Sequence, residues 1–413
     1  MHICFISRRY FPAISGMSVY AQNLLRELVA LGHQVTMISQ YRGDAQGRGV
    51  YGGGPPPPVP GVRVLGVEAL GEQNGGRFED DIQTLLAAVL QAHAEIPFDL
   101  IHAQYGYPPG LVALLASRRL RIPNVVSIQG GDGHWVGVNC CKTHQQAIRT
   151  VLDHAGAVLI GCQSFADEVI EHHGTATNRF TVVPGAVDVE RFRPAPGWQA
   201  GQWRKPQQPT LLYHGRVDRR KGVLDLLAAF RELAPTRPNL RLLISGIGPD
   251  YEEVCRQVAA APWGAQVELA GYVDYDAVPA IYQRADVFVS PTYAEGFSNT
   301  ILEAMSSGLP VVGGAAVGVV DCLRDADNGL LHPPGDVPAL TYALRRLLDD
   351  EALRTRLAET ALAEARQKYA WPTIARQIAG VYEQLRGTAP NLNWLENTAP
   401  PEACRYREAP HLL

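Results

Sequence analysis

Apolar residues along this chain gather into short runs, and the stretches between the runs carry apolar residues at helical spacing. In the first half, the runs at residues 2–7, 35–39, 62–67, 99–103, 124–128, 157–161 and 180–183 predict β-strands. Between the first two, Met17, Tyr20, Leu24, Leu28 and Leu31 line one face of a helix, and Gly32 supplies its C-terminal stop. Strand, helix and strand make a βαβ unit, and continued alternation predicts a mostly parallel, doubly wound sheet. Residues 42–60, with Gly52 to Gly54 followed by Pro55 to Pro58, cannot form a helix or a central strand because proline lacks an amide donor. They predict an exposed, mobile loop.

The alternation lapses after Pro184, and residues 194–209 are rich in Pro, Gly and Gln without apolar periodicity, as a connection between domains would be. It restarts with predicted strands at 210–214, 240–245, 267–270, 286–290, 310–312 and 329–331, so a second Rossmann-like unit is expected. Its helices carry core-facing stripes, such as Val223, Leu226, Leu227, Phe230 and Leu233, or Val337, Leu340, Leu344, Leu347 and Leu348. Beyond Gly387 the chain is rich in Pro, Asn and Glu and has no period, which predicts a loosely held tail.

Composition narrows the picture. The 413 residues are 46% hydrophobic and 19% charged, enough for two cores in domains of about 150 to 200 residues each. A formal net charge of −4 with no long Lys/Arg tract gives no nucleic-acid footprint. No run of about eighteen apolar residues occurs, which argues against a membrane span and leaves peripheral attachment open. The apolar run after Met1 has no basic region before it and no small-residue cleavage site after it, so no secretion signal is expected. The seven cysteines are scattered apart from Cys140 and Cys141 and show no zinc-type pairing, which suggests reduced thiols in a cytoplasm.

Ligands of a doubly wound sheet bind at the carboxyl ends of its strands, so the loops after strands hold the candidate chemistry. The strand at 210–214 runs into Gly215-Arg216-Val217-Asp218-Arg219-Arg220-Lys221-Gly222, which crowds cations just before a helix N-terminus. A helix N-terminus is itself positive, so the crowding is costly unless an anion is shared there. Arg216 and Lys221 are the candidate phosphate clamps, and a solvated basic loop is the alternative. A second signal is Glu295-Gly296-Phe297-Ser298-Asn299-Thr300-Ile301-Leu302-Glu303. A helix from about 299 to 307 puts Glu295 in the preceding loop and Glu303 inside the helix, both facing one ligand across the helix start. Carboxylates accept from sugar and ribose hydroxyls, and small Gly296, Ser298 and Asn299 let backbone amides approach phosphate oxygens. Alternatively, Thr300 and Glu303 have capping-box spacing, with Glu303 reaching back to an amide.

With these neighbours the chain resembles a family 4 retaining glycosyltransferase of the GT-B fold. The family's two glutamates, separated by seven residues, match Glu295 and Glu303, and Ala304-Met305 with Gly308-Leu309-Pro310-Val311-Val312 match the family's usual continuation. Gly215-Arg216 with Lys221-Gly222 matches its donor-diphosphate clamp. The segments Ile244 to Pro249, with Gly246, and Gly271-Tyr272-Val273 match those lining the nucleotide base, while Pro184 to Asp188 resembles the interdomain turn. Residues 12–18 resemble the glycine-rich turn under the diphosphate with one central glycine kept, Gly16. After the strand at 124–128, Gln129 stands where many members have a histidine beside the transferred sugar; Asp132 matches a common acidic position, and His134 comes two residues later. The family's Gly-Gly-x-x-Glu pattern appears as Val317-Gly318-Val319-Val320-Asp321, its carboxylate shortened.

The resemblance implies two Rossmann-like doubly wound domains facing a cleft. An acceptor-binding domain is expected over 1–190, a linker over 191–208, a donor-binding domain over 209–370, a C-terminal helix crossing back to the N-terminal domain over 371–386, and the tail over 387–413. It implies hexosyl transfer from a nucleotide-diphosphate sugar to a glycan, lipid-linked or small-molecule hydroxyl, with retention and no metal ion or other cofactor. Arg216, Lys221, Glu295 and Asp132 are then the expected catalytic residues. The donor is expected at Gly16, Arg216, Lys221, Gly246, Val273, Glu295, Gly296, Phe297, Ser298, Asn299 and Glu303, and Gln129, Asp132 and His134 at the sugar or acceptor. The rival readings are a nucleotide-sugar 2-epimerase on the same fold and an inactive donor-binding partner subunit; joint retention of Arg216, Lys221, Glu295 and Glu303 argues against the second. The expected location is cytoplasmic. Arg118, Arg119 and Arg121 admit peripheral contact with the inner face of a membrane, but cations at a helix C-terminus also have a dipole explanation.

Overall fold

A computed structural model describes residues 1–45, 52–128, 142–205 and 207–396. The chain divides into one unit of Met1–Pro184 with Ile374 onward, and a second of Gly185–Thr373.

The first unit holds a seven-stranded sheet: β1 (His2–Ser7), β2 (Gln34–Tyr41), β3 (Val62–Glu68), β4 (Leu100–Gln104), β5 (Asn124–Ile128), β6 (Ala157–Ile160) and β7 (Phe180–Val182). All pairings are parallel, in the order β3-β2-β1-β4-β5-β6-β7. Parallel strands are covered on both faces, which is why β1 is buried at every position. β2 runs longer than its apolar pattern because Gln40 and Tyr41 continue the ladder to Val67 and Glu68. The helix Gly16–Ala30 leaves β1 and ends before Gly32, whose φ is +82°.

Part of the loop predicted to be exposed is packed. Gly54 donates its amide to the Arg42 carbonyl, and the Arg42 guanidinium pairs with Glu72 at 3.0 Å and with Asp44 at 2.5 Å. Within the predicted tail, Trp394 is buried, its ring stacks 5.0 Å from the Arg118 guanidinium and its carbonyl accepts from Arg118. Arg118 therefore has an internal partner.

The helix Trp371–Leu385 passes into the first unit at Ile374. There the Tyr382 hydroxyl lies 2.6 Å from His102 Nδ1, and His102 Nε2 lies 2.7 Å from Ser127 Oγ. Complete burial pushes the His102 ring down to about 3, so it is a neutral imidazole that needs one donor and one acceptor as neighbours. Tyr382→Phe strands one ring nitrogen and is expected to lower unfolding free energy by about 1 to 2 kcal/mol. Urea denaturation checks this, and an unshifted midpoint would show that the pair adds nothing.

In the second unit, six parallel strands follow the order β10-β9-β8-β11-β12-β13: β8 (Thr210–His214), β9 (Arg241–Ser245), β10 (Val267–Gly271), β11 (Val287–Ser290), β12 (Val311–Gly314) and β13 (Leu330–His332). Period-two alternation builds a core on each face. Leu211, Leu242, Ile244, Val287 and Val289 face one cluster with the helices Val223–Leu233 and Val337–Asp349, while Leu212, Leu243 and Phe288 face the other with Ile301, Leu302 and Met305. The stretch before β8 is tied down. Asp286 accepts from the Arg204 and Thr210 amides at 2.6 and 2.8 Å, and the buried Arg354 donates to the Gly201 carbonyl at 2.7 Å beneath the Trp203 ring.

Candidate functional site

Strand order in the second sheet reverses between β8 and β11, the switch point at which loops on either side part and leave room for a ligand. The loop after β8 holds the clamp expected from the sequence, the loop after β11 holds Glu295, and the helix that follows it holds Glu303.

After β8 the chain makes the turn Gly215–Asp218, one turn of 3-10 helix at Arg219–Lys221, and enters the helix Val223–Leu233 at Gly222. It is zipped to the end of β9 and the loop after it by Gly215 N to the Ser245 carbonyl and Val217 N to the Ile247 carbonyl, each 3.0 Å. The approach is so close that a Cβ on Gly246 would lie 1.9 Å from the Gly215 carbonyl oxygen; φ there is +129°, and only glycine fits. The buried Tyr213 hydroxyl fixes the turn by donating to the Arg216 carbonyl at 2.6 Å.

Four cations of equal appearance in the sequence fall into two classes here. Arg219 is bound by Asp250 at 2.6 Å and Arg220 by Asp218 at 2.5 Å. Burial by itself would raise the Asp218 carboxyl, but the hydrogen bonds from Arg220 and the charges of Arg220 and Arg216 outweigh it and hold Asp218 below the usual carboxylate range. These pairs shape the loop. Arg216 stays 43% exposed in its side chain, 3.6 Å from Asp218, and Lys221 turns towards the β11 loop, 2.8 Å from Glu295 Oε1 and 3.1 Å from the Ala294 carbonyl.

The β11 loop is held from both sides. Tyr293 N donates to the Arg220 carbonyl at 3.1 Å and Glu295 N to the Val317 carbonyl at 3.0 Å. The helix Asn299–Ser306 comes next, with Ser298 at the N-cap making no side-chain cap hydrogen bond. An unsatisfied helix start presents amides to an anion. Because the helix begins at Asn299, Thr300 is not its cap, and the capping-box alternative fails. Glu303 Oε2 accepts instead from the Tyr282 hydroxyl at 2.7 Å. Burial pushes the Glu303 carboxyl up to about 7, against the Tyr282 hydrogen bond and the Arg191 charge.

The remaining predicted residues are spread more widely. Phe297 packs its ring 5.9 Å from that of Tyr369, and Gly185 lies against both Phe297 and Asn299. Asn299 Oδ1 is buried with no hydrogen-bond partner among the described residues. Val273 packs on the second core cluster, and Gly271, where β10 ends, accepts from the Gly246 amide at 2.7 Å. In the first unit Gly16 opens its helix, and a Cβ there would meet nothing within 4 Å. Ser15 is the helix cap, accepting from Ser18 N at 3.3 Å while its own amide donates to Ser18 Oγ at 2.7 Å. Gln129, Asp132 and His134 lie outside the described residues. Sequence reasoning missed Tyr282, whose one signal is a phenol at an otherwise apolar core position.

Among the described residues no group of three or more His, Cys, Asp and Glu side chains is arranged to hold a metal, and no helix is long and apolar enough to cross a membrane.

Comparison with known proteins agrees with this architecture. The family model described as "Glycosyl transferases group 1" matches residues 199–363, and "Glycosyl transferase 4-like domain" matches residues 15–186. A glycogen synthase of Mycobacterium tuberculosis is 27% identical over 408 residues, covering 92% of this chain and 94% of that protein. A D-inositol 3-phosphate glycosyltransferase of Streptomyces bingchenggensis is 29% identical over 414 residues, covering 90% and 85%. Among solved structures, sucrose-phosphate synthase from Thermosynechococcus elongatus superposes with a TM-score of 0.75 at 22% identity, over 93% of this chain and 98% of that one. Two parallel Rossmann-like sheets, both family models and these likenesses lead to one assignment: the chain belongs to the group 1 glycosyl transferases, of the GT-B fold.

Proposed function

We propose that this chain is a retaining hexosyltransferase that takes its sugar from a nucleoside-diphosphate donor and works without a metal ion. The observation that carries the reading is the convergence of Lys221, Glu295 and the uncapped start of the Asn299–Ser306 helix at the carboxyl ends of β8 and β11, with Arg216 in the same loop as Lys221. Fixed cations next to a helix N-terminus stabilise the charge that grows on a departing diphosphate, the task a divalent ion performs elsewhere.

On this reading Arg216 and Lys221 bind the diphosphate together with the amides of Gly296, Ser298 and Asn299, and Phe297 shapes the loop. Glu295 accepts from the sugar hydroxyls and Glu303 from the ribose hydroxyls. Gly246 and Val273 line the base, Gly16 admits the diphosphate, and Gln129, Asp132 and His134 serve the sugar or the acceptor, a glycan, lipid-linked or small-molecule hydroxyl. Two solved neighbours support a nucleoside-diphosphate donor. Anabaena HepE has been crystallised with UDP-glucose, and starch synthase IV of Arabidopsis thaliana with ADP and acarbose. In front-face attack the acceptor oxygen forms its bond to the anomeric carbon on the side from which the diphosphate leaves. The departing phosphate oxygen takes the acceptor's proton, so no protein nucleophile is required.

Incubation with UDP-, GDP- and ADP-sugars and candidate acceptors tests the reading. Release of a nucleoside diphosphate is expected, with early product keeping the donor's anomeric configuration by proton NMR and the rate unchanged in EDTA. An inverted product overturns retention. Activity lost to EDTA and restored only by Mg²⁺ or Mn²⁺ overturns metal independence, and an epimerised nucleotide sugar in place of a transfer product overturns the whole reading.

A further inference from the structure

The Tyr282 side chain is buried completely, at 0% exposure, at the end of the short helix Val278–Tyr282. Its ring is fixed by edge contacts with Phe192 and His214, at 5.6 and 5.5 Å, and by a tilted contact with Phe288 at 5.6 Å. A phenylalanine would fill that slot as well, so packing does not account for the hydroxyl. The hydroxyl faces two acceptors, Glu303 Oε2 at 2.7 Å and the Thr300 carbonyl at 3.3 Å, and with one proton to give it donates to the shorter and charged one.

We infer that Tyr282 is a positioning residue for the donor's ribose: its hydroxyl holds Glu303 through Oε2 and leaves Oε1 for the ribose hydroxyls. The inference rests on the ribose role proposed for Glu303. Among the described residues Oε1 has no hydrogen-bond partner, so one oxygen is engaged and the other is available. A single-point hold from a locked ring also removes rotamer freedom that donor binding would otherwise have to freeze. Tyr282 has an electrostatic effect as well. Burial raises the Glu303 carboxyl to about 7, and the Tyr282 hydrogen bond and then the Arg191 charge oppose that rise. The His214 ring, in edge contact with Tyr282, bonds to Ser245 Oγ at 3.0 Å and is pushed down to about 4 by burial, so it stays neutral near pH 7. Without the phenol, Glu303 would be protonated at a higher pH and would lose an acceptor site to its own proton.

The experiment begins by titrating UDP, ADP and GDP into the full chain by calorimetry, and the tightest binder becomes the probe. Glu303→Ala is measured first. If none of the three binds, or if Glu303→Ala binds the probe as well as the parent, the ribose role of Glu303 falls and Tyr282 has nothing to position. Given a loss in Glu303→Ala, Tyr282→Phe is expected to weaken the probe about tenfold at pH 7.5. It should also move the acid-side fall in affinity upward by about one pH unit. Donor KM should rise with Kd while kcat changes little, and adding Tyr282→Phe to Glu303→Ala should cost no further affinity. A Tyr282→Phe protein with a lowered melting temperature but the parent's Kd and pH midpoint would make Tyr282 a packing residue only and overturn the inference, leaving the reading of Glu303 intact.

Discussion

Replacing Lys221 by alanine is expected to cut turnover about 10²-fold or more, with a much smaller change in donor affinity. Lys221 Nζ stands 2.8 Å from Glu295 and 3.1 Å from the Ala294 carbonyl, so the ammonium is held in the loop that leads to the uncapped helix. Charge on the diphosphate is larger in the transition state than in the bound donor, and a fixed cation there lowers the barrier more than it tightens binding. Removing it also leaves the Glu295 carboxylate without its counter-charge, which opposes a growing anion nearby. Arg219→Ala is the informative control. Arg219 is equally cationic and two residues away but committed to Asp250 at 2.6 Å, so its loss is expected to change kcat only a few-fold, roughly what a disturbed surface pair can do. Steady-state rates at saturating donor decide the matter. An unchanged kcat with a raised KM would show that Lys221 binds donor and transition state equally and has no special part in leaving-group departure.

Glu303→Ala is expected to weaken nucleoside-diphosphate binding by about ten- to a hundredfold, since each lost charge-assisted hydrogen bond costs about 1.5 to 3 kcal/mol. Its stability profile carries a second, independent signature. The folded-state value, about 7, lies above the ordinary 4.5, so the fold favours the protonated carboxyl. A raised acid contributes stability that is fully present below the unfolded value and is lost as pH rises through the folded one. The parent, without donor, should therefore lose stability relative to Glu303→Ala between about pH 4.5 and 7, and the variant should compare best at alkaline pH. Thermal melts at several pH values, paired with calorimetric titration, read both effects. Unchanged affinity would remove Glu303 from the donor site, and a pH-independent stability difference would remove the raised carboxyl.

Local signals in the sequence were enough for much of this. The strands at 124–128 and 210–214 match β5 and β8 at both ends, because a run of apolar, β-favouring residues bounded by turns is a property of neighbours along the chain. The helix after β11 was legible for the same reason. Its start, close to Glu295, and its stop at Gly308 are written in adjacent residues. Arg216, Lys221, Glu295 and Glu303 could be picked out because strand-end loops of a doubly wound sheet are where unexplained charge has meaning.

The sequence could not tell which partner each of those charges takes. Arg219 and Arg220 look no different from Arg216 and Lys221 until Asp250 arrives from the loop after β9 to bind one and Asp218 turns inward to bind the other. Spacing alone left Glu303 between a cap and a ligand-binding group; the helix start at Asn299 and the Tyr282 hydroxyl, twenty-one residues earlier in the chain, remove the cap. Trp394 sat in a stretch without any period, yet it stacks on Arg118, 276 residues away. Periodicity and turn chemistry are fixed by residues a few positions apart and survive in the bare sequence. Hydrogen-bond and ion-pair partners depend on which distant segments the sheet order brings together, so the ionisation of Glu303 and the division of labour among the cations were decided only in the folded chain.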